Sequence, residues 1–267
     1  MPASCIRTVI FAFAAVVTTA APAAVAQERT HQVAIPAGLY QPFFLVRAAK
    51  GRAPTEEPLT RIAAFRIDNL PVTNRQFLAF VRAHPQWRRS QVKPLFADNR
   101  YLAKWRSDLE LADAEAAAEP VTNVSWFAAE AYCEAQGLAL PTTEQWEYAL
   151  ADQGRDRDSN AQRSLEWFST PTGKHLGAVG RGEPNGYGVY DMVGLVWEWT
   201  LDHNSFMLGT EQRNTSSKDD AQVCGGGSVG VRDPADYPAF MRYALRSSLS
   251  ATYTVDNVGF RCAGDDR

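Results

Sequence analysis

The stretch Asn185-Gly186-Tyr187-Gly188-Val189-Tyr190-Asp191-Met192-Val193-Gly194-Leu195-Val196-Trp197-Glu198-Trp199 decides how this chain folds. Glycine, asparagine and aspartate recur every few residues, which breaks it into turns and short strand-like pieces. It ends by setting one carboxylate between two large rings. Such a carboxylate loses its water, and leaving it unpaired in a core is costly. It needs an arginine, backbone N–H groups or a metal ion. Arg242, Arg246 and Arg261 are the candidate ion-pair partners, and Ca²⁺ is the functional alternative. Seven Trp and an aromatic content of 11% supply the large packing units that an irregular, loop-heavy fold requires.

Working outward, 267 residues with 45% hydrophobic content can bury a substantial core, which excludes collagen-like, coiled-coil and wholly disordered classes. Lys and Arg number 27 against 30 Asp and Glu, so no basic excess exists to neutralise a nucleic-acid backbone. At the N-terminus, Arg7 precedes an apolar, alanine-rich run over residues 8–21, and Ala24-Val25-Ala26 offers a small-x-small cleavage site. Residues 1–26 therefore read as a signal peptide cleaved after Ala26. The run is too short to span about 30 Å of hydrocarbon, and no other segment approaches a membrane span. The expected location is periplasmic or secreted, an oxidising compartment. Removing Cys5 leaves Cys133, Cys224 and Cys262, which predicts one disulfide and one spare thiol. His31, His84, His175 and His203 are scattered, with no zinc-ligand spacing.

Residues 35–46 read as opening strands broken by a turn, residues 50–58 as a Gly/Pro/charge-rich loop, and Phe65-Arg66-Ile67 as a short strand. Thr73 caps a helix carrying Phe77, Phe80 and Val81 on one face, which Pro85 ends. Residues 87–119 run from basic through aromatic to alanine- and acid-rich, as a peripheral excursion. Ser125 caps a second helix with Trp126, Ala129 and Cys133 on one stripe. Thr142 and Gln145 form the capping box of a third, with Trp146, Ala149 and Leu150 inward. Beyond Gln153 helix signals are few. The composite is one α+β domain over residues 27–267, with low regular secondary structure.

Two motifs fail on their own chemistry. Gly226-Gly227-Ser228-Val229-Gly230 has the spacing of a serine-hydrolase elbow, yet no histidine follows His203 to complete the triad. It reads as a glycine-rich strand. Asp156, Asp158 and Asn160 have EF-hand spacing, but Ala161 and Trp167 occupy the positions of the required Gly and Glu, so they read as a solvated acidic turn.

The opening stretch also belongs to an ordered set. Upstream stand Pro120-Val121, Val124-Ser125-Trp126, Ala131-Tyr132-Cys133 and Leu140-Pro141-Thr142 with Glu144, Trp146, Glu147 and Tyr148. Downstream stand Gly226-Gly227-Ser228, Arg246 and Gly259-Phe260-Arg261-Cys262-Ala263. In this order they resemble the formylglycine-generating-enzyme, or sulfatase-modifying factor, superfamily. Within it the chain looks closest to secreted accessory proteins of copper nitrite reductase. The resemblance implies a C-type-lectin-like core, a Cys133–Cys262 disulfide, and a Ca²⁺ site at Glu198 and the carbonyls of Gly194 and Val196, with Leu195 replacing the usual Asn. A second family Ca²⁺ site would map to residues 166–181, where its pattern is not recognisable.

Ser228 matches the family's active-site serine. The family's copper is held by two cysteines just after that strand, soft thiolates suiting Cu(I). Residues 229–238 hold none: Val231 stands at the first ligand position. Cys224 lies on the other side of Ser228 and offers at most weak Cu(I) ligation. The resemblance therefore implies a member without the paired copper ligands, acting as an accessory or maturation factor for a periplasmic copper redox enzyme. The alternatives are a periplasmic oxidoreductase like the pyoverdine-maturing branch and a non-catalytic binding module.

Overall fold

The computed structural model describes residues 30–40, 45–46, 55–56, 59–151, 157–169, 176–203 and 237–266. Ser228, Cys224, Val231 and the glycine-rich motif lie outside them.

The first strands are β1 (Gln32–Ile35), β2 (Gly38–Tyr40), β3 (Leu45–Val46), β4 (Thr55–Glu56), β5 (Thr60–Ile62) and β6 (Phe65–Asp68). A short strand thus falls within the loop expected at 50–58. α1 (Asn74–Ala83) starts at Thr73, whose hydroxyl accepts from the Gln76 N–H while the Gln76 side chain accepts from the Thr73 N–H, a complete capping box. Phe77, Phe80 and Val81 are buried, and a 3₁₀ turn at Pro85–Trp87 follows. α2 (Trp126–Ala135) is capped by Ser125, which accepts from the Ala128 N–H. α3 (Thr143–Ala151) follows the Thr142–Gln145 box, with both reciprocal bonds present at 2.9 and 3.1 Å.

After Gln153 the structure departs from expectation. α4 (Arg157–Ser169) and α5 (Tyr237–Ser248) are full helices. α4 also replaces the acidic turn expected at Asp158 and Asn160; Asp156 lies outside the described residues. α5 escaped the sequence reading because its buried positions include Arg242 and Arg246. Their spacing of four is helical, but periodicity arguments follow apolar residues, and this inward stripe is charged.

The main sheet is antiparallel in the order β1-β6-β9, with β9 at Ala263–Asp265. Ile35 opposes Phe65 and Ile67 opposes Ala263, so the first and last described strands flank β6. β7 (Trp197–Glu198) and β8 (Val258–Gly259) pair in parallel, placing Glu198 across from Gly259 and beside the Phe260-Arg261 run. Gly259 is required there: a Cβ would stand 2.8 Å from the Val121 carbonyl oxygen.

Two packed clusters result. One joins α1, α2, Trp199 and Phe260; the other packs the β1/β6/β9 sheet and β5 on α3 through Trp146, Val189 and Met192. The 87–119 excursion is not merely peripheral, because Ala97, Tyr101, Leu102 and Trp105 enter the first cluster. Its aromatic middle is too apolar to stay outside. Cys133 on α2 is disulfide-bonded to Cys262, just before β9, with Cα atoms 5.5 Å apart. Among the described residues, no helix is long and apolar enough to cross a membrane.

One buried acid gives the fold a pH dependence. Asp68, at the end of β6, accepts from the Cys262 N–H at 3.0 Å and from Gln32 at 3.3 Å. Burial raises its pKa to about 7 from 3.8, against those bonds and the Arg261 charge, with Glu198 adding to the rise. Between those two values the folded chain binds a proton that the unfolded chain does not. Stability therefore falls as pH rises from 4 to 7, by at most about 1.4 kcal/mol per unit, and this contribution is flat above. Denaturant unfolding at pH 5 and pH 8 should show wild type losing stability and Asp68→Asn losing less; equal losses would refute the assignment.

Candidate functional site

Four elements converge on a buried charged network. α3 supplies Trp146 and Glu147, β7 supplies Glu198, α5 supplies Arg242 and Arg246, and the turn after β8 supplies Arg261. Glu198 and Arg261 have fully buried side chains. The guanidinium grips the carboxylate in bidentate fashion: Nε donates to Oε2 and Nη2 to Oε1, each at 2.8 Å. Trp146 Nε1 donates to the same Oε2 at 2.6 Å. Arg261 further donates to the carbonyls of Asp68 and Tyr190, so it also ties β6 to the opening stretch.

The second ion cluster is centred on Glu147. Arg242 reaches it through two bonds of 2.9 and 2.7 Å, and Arg246 through one of 3.0 Å. Burial alone would raise the Glu147 pKa, but the two guanidiniums outweigh it and hold the carboxyl below its ordinary value. Arg246 links the halves, donating Nε to the Glu198 carbonyl at 3.3 Å and standing 4.5 Å from the Trp146 ring centre. Of the three arginines considered for Glu198, only Arg261 pairs with its carboxylate. The Glu147 cluster was missed in the sequence; its signal is the buried Arg242/Arg246 pair at helical spacing.

Trp197 and Trp199 flank Glu198 in sequence, and both pack with the first core cluster. Trp197 lies against Trp167 and Phe168 of α4, with centroids 4.8 and 5.1 Å away. Trp199 enters the first core cluster and donates Nε1 to the Val124 carbonyl. His203 closes this side, buried between Trp126 and Trp199. Among the described residues its ring nitrogens meet no well-formed hydrogen bond, and burial lowers its pKa although Asp202 and the Leu249 backbone oppose the shift.

Chemically this is a locked arrangement. Three guanidiniums and two carboxylates are committed to one another, and among the described residues no nucleophile stands beside a free base in this network. Its effect is mechanical: it joins Glu198, at the approach to residue 203, to α5, which begins at residue 237. Both flanks of the interval carrying Cys224 and Ser228 are thereby anchored to α3.

The expected Ca²⁺ ligands lie on the loop entering β7. Gly194 has φ +102°, a conformation glycine adopts readily. Asp191 stands nearby, its pKa raised by burial and by Glu198 although Gly180 and Arg261 oppose the shift. Of the Glu198 carboxylate oxygens, Oε2 meets two donors and Oε1 one. One Oε1 lone pair is thus left without a donor among the described residues. Among the described residues no group of three or more His, Cys, Asp or Glu could hold a metal, so such a site would rely on backbone oxygens. Glu166, at the edge of the second mapped calcium region, lies in α4.

Comparison with known proteins places these features. The formylglycine-generating enzyme of Streptomyces coelicolor is 31% identical over 91% of this chain and 92% of its own length. The mouse formylglycine-generating enzyme is 33% identical over 55% of this chain, and the match spans 44% of that enzyme, less than half its length. The bovine protein named inactive C-alpha-formylglycine-generating enzyme 2 is 30% identical over 80% of each chain. Among solved structures, PvdO from Pseudomonas aeruginosa superposes with a TM-score of 0.47 at 19% identity, covering 88% of this chain and 94% of that one. The family model of the sulfatase-modifying factor enzyme 1-like domain matches residues 17–266, and the chain belongs to that family.

Proposed function

We propose that this chain is a periplasmic or secreted family member without the formylglycine-generating copper centre. It acts as an accessory or maturation factor for a periplasmic redox enzyme, copper nitrite reductase being the specific candidate. One observation carries this reading: residues 229–238 contain no cysteine where the family's paired copper ligands stand. A fold can persist after its chemistry is lost, and a relative named as inactive fits that reading. The buried ion network supports a scaffold role, since it fixes positions without offering a reactive group. Ca²⁺ held by Gly194, Val196 and Glu198 would brace the loop entering β7. Cys224 is the one thiol between residues 204 and 236, and a single thiolate leaves Cu(I) open to exchange.

The protein should therefore fail to convert a sulfatase cysteine to formylglycine. Copper-loaded protein incubated with a sulfatase-motif peptide should yield no aldehyde product by mass spectrometry. Turnover that survives Cys224→Ser would overturn the reading of the missing pair. Co-purification with a cupredoxin-type reductase, and reduced reductase activity in cells lacking this chain, would support the accessory role.

A further inference from the structure

We infer that residues 87–109 form a preorganised docking surface for an acidic protein surface bearing an apolar hollow; this deepens the accessory reading above. Charge is the first observation. Residues 87–109 carry six of the chain's 27 Lys and Arg but only two of its 30 Asp and Glu, Asp98 and Asp108, in a molecule of net charge −3. Lys93 and Arg100 are exposed, and among the described residues neither forms an ion pair with a carboxylate. Arg88 is half-buried with its Nε unpartnered.

An apolar tip sits within this basic segment. The turn closed by the Phe96 N–H on the Lys93 carbonyl, at 2.8 Å, presents Leu95 at 71% exposure and Phe96 at 36%. Phe96 packs on Trp87 and Phe127, with centroids 5.9 and 5.6 Å away, and both of those rings are half-buried. Asp98 accepts from the Thr254 N–H and hydroxyl, which sets the exposed Tyr253 alongside. Aromatic and arginine side chains around one protruding leucine have the composition of an interface anchor.

Rigidity favours a protein over a lipid surface. Arg89 donates to the carbonyls of Leu102, Trp105 and Arg106; the Ser90 N–H and hydroxyl bond Asp108; and the Tyr101 hydroxyl donates to the Trp87 carbonyl at 3.0 Å. An irregular segment braced at so many points presents a fixed shape. Fixed shape reduces the ordering cost of docking to a complementary solid surface, whereas a fluid bilayer makes no such demand. Within the same segment an open hollow of about 580 Å³, lined by Arg89, Ser90, Ser107, Asp108 and Leu109, gives the surface relief.

The test is site-specific photocrosslinking from position 95 in cells producing the full chain, with position 165 as an exposed control. The captured protein is identified by mass spectrometry, purified, and its affinity for this chain measured at low and high salt. The inference expects an acidic protein crosslinked from 95 and not from 165, binding more weakly at high salt. Lys93→Glu/Arg100→Glu should weaken binding by about tenfold or more, and Leu95→Asp similarly, with unchanged melting temperatures. Equal capture from both positions, affinity indifferent to these changes, or binding only to vesicles containing phosphatidylglycerol would overturn it. Should the captured acidic protein be no redox enzyme, the docking surface stands and the accessory function falls; should a copper reductase bind elsewhere, the reverse holds.

Discussion

Glu198→Gln is expected to destabilise the protein by about 3–5 kcal/mol, because it leaves the guanidinium of Arg261 charged, buried and without its counter-ion. Both side chains are fully buried, so solvent cannot compensate. Trp146 keeps an amide oxygen to donate to, but the bidentate charge pairing is gone. Denaturant unfolding of wild type, Glu198→Gln and the double variant Glu198→Gln/Arg261→Met provides the measurement. The double variant should recover part of the loss, since no charge is then stranded, although the Asp68 and Tyr190 carbonyls lose a donor. A single-variant cost below about 1 kcal/mol, the range of an exposed pair, would contradict the buried pairing. The same samples test calcium. If a cation shares Glu198 Oε1, added Ca²⁺ raises the wild-type melting temperature, chelator lowers it, and Glu198→Gln abolishes both responses. An unresponsive wild type leaves the ion pair as the sole role of this carboxylate.

Breaking the Cys133–Cys262 bond should have an effect of similar size. The cysteines are 129 residues apart, and closing a loop of that length restricts the unfolded chain by about 5 kcal/mol in the entropy model. Cys133→Ser/Cys262→Ser should therefore approach that loss, with reduced wild type behaving alike. Non-reducing peptide mapping supplies the independent check, and free thiols at both positions in natively produced protein would refute the bond. The consequence is local as well as global. Cys262 donates its N–H to Asp68 and follows Arg261, so the crosslink also holds the Glu198 pair in register with β6.

Much of the architecture could be read along the chain because it depends on neighbours in sequence. The caps at Thr73, Ser125 and Thr142 use side chains reaching backbone groups three residues on, and each begins the helix expected of it. The buried faces of α1 and α3 follow from apolar spacing alone. The need for a partner at Glu198 was equally legible, since two flanking tryptophans mark a carboxylate that water will not solvate. Family membership could likewise be read there, because it rests on motifs in fixed order.

Tertiary structure decided which partner each charge takes. Arg242, Arg246 and Arg261 are equivalent in composition, yet β7–β8 pairing brings Arg261 to Glu198 while α5 turns the other two toward Glu147. No local pattern encodes that choice, which depends on contacts 63 to 99 positions apart. For the same reason α5 was hidden: its inward stripe is cationic, and it becomes a buried face only because Glu147 waits beneath it. Chain-local physics determined the caps, the apolar faces and the absence of paired copper thiolates. The charge pairing depended on the assembled fold, because a buried ion is stable only where distant elements deliver its counter-ion.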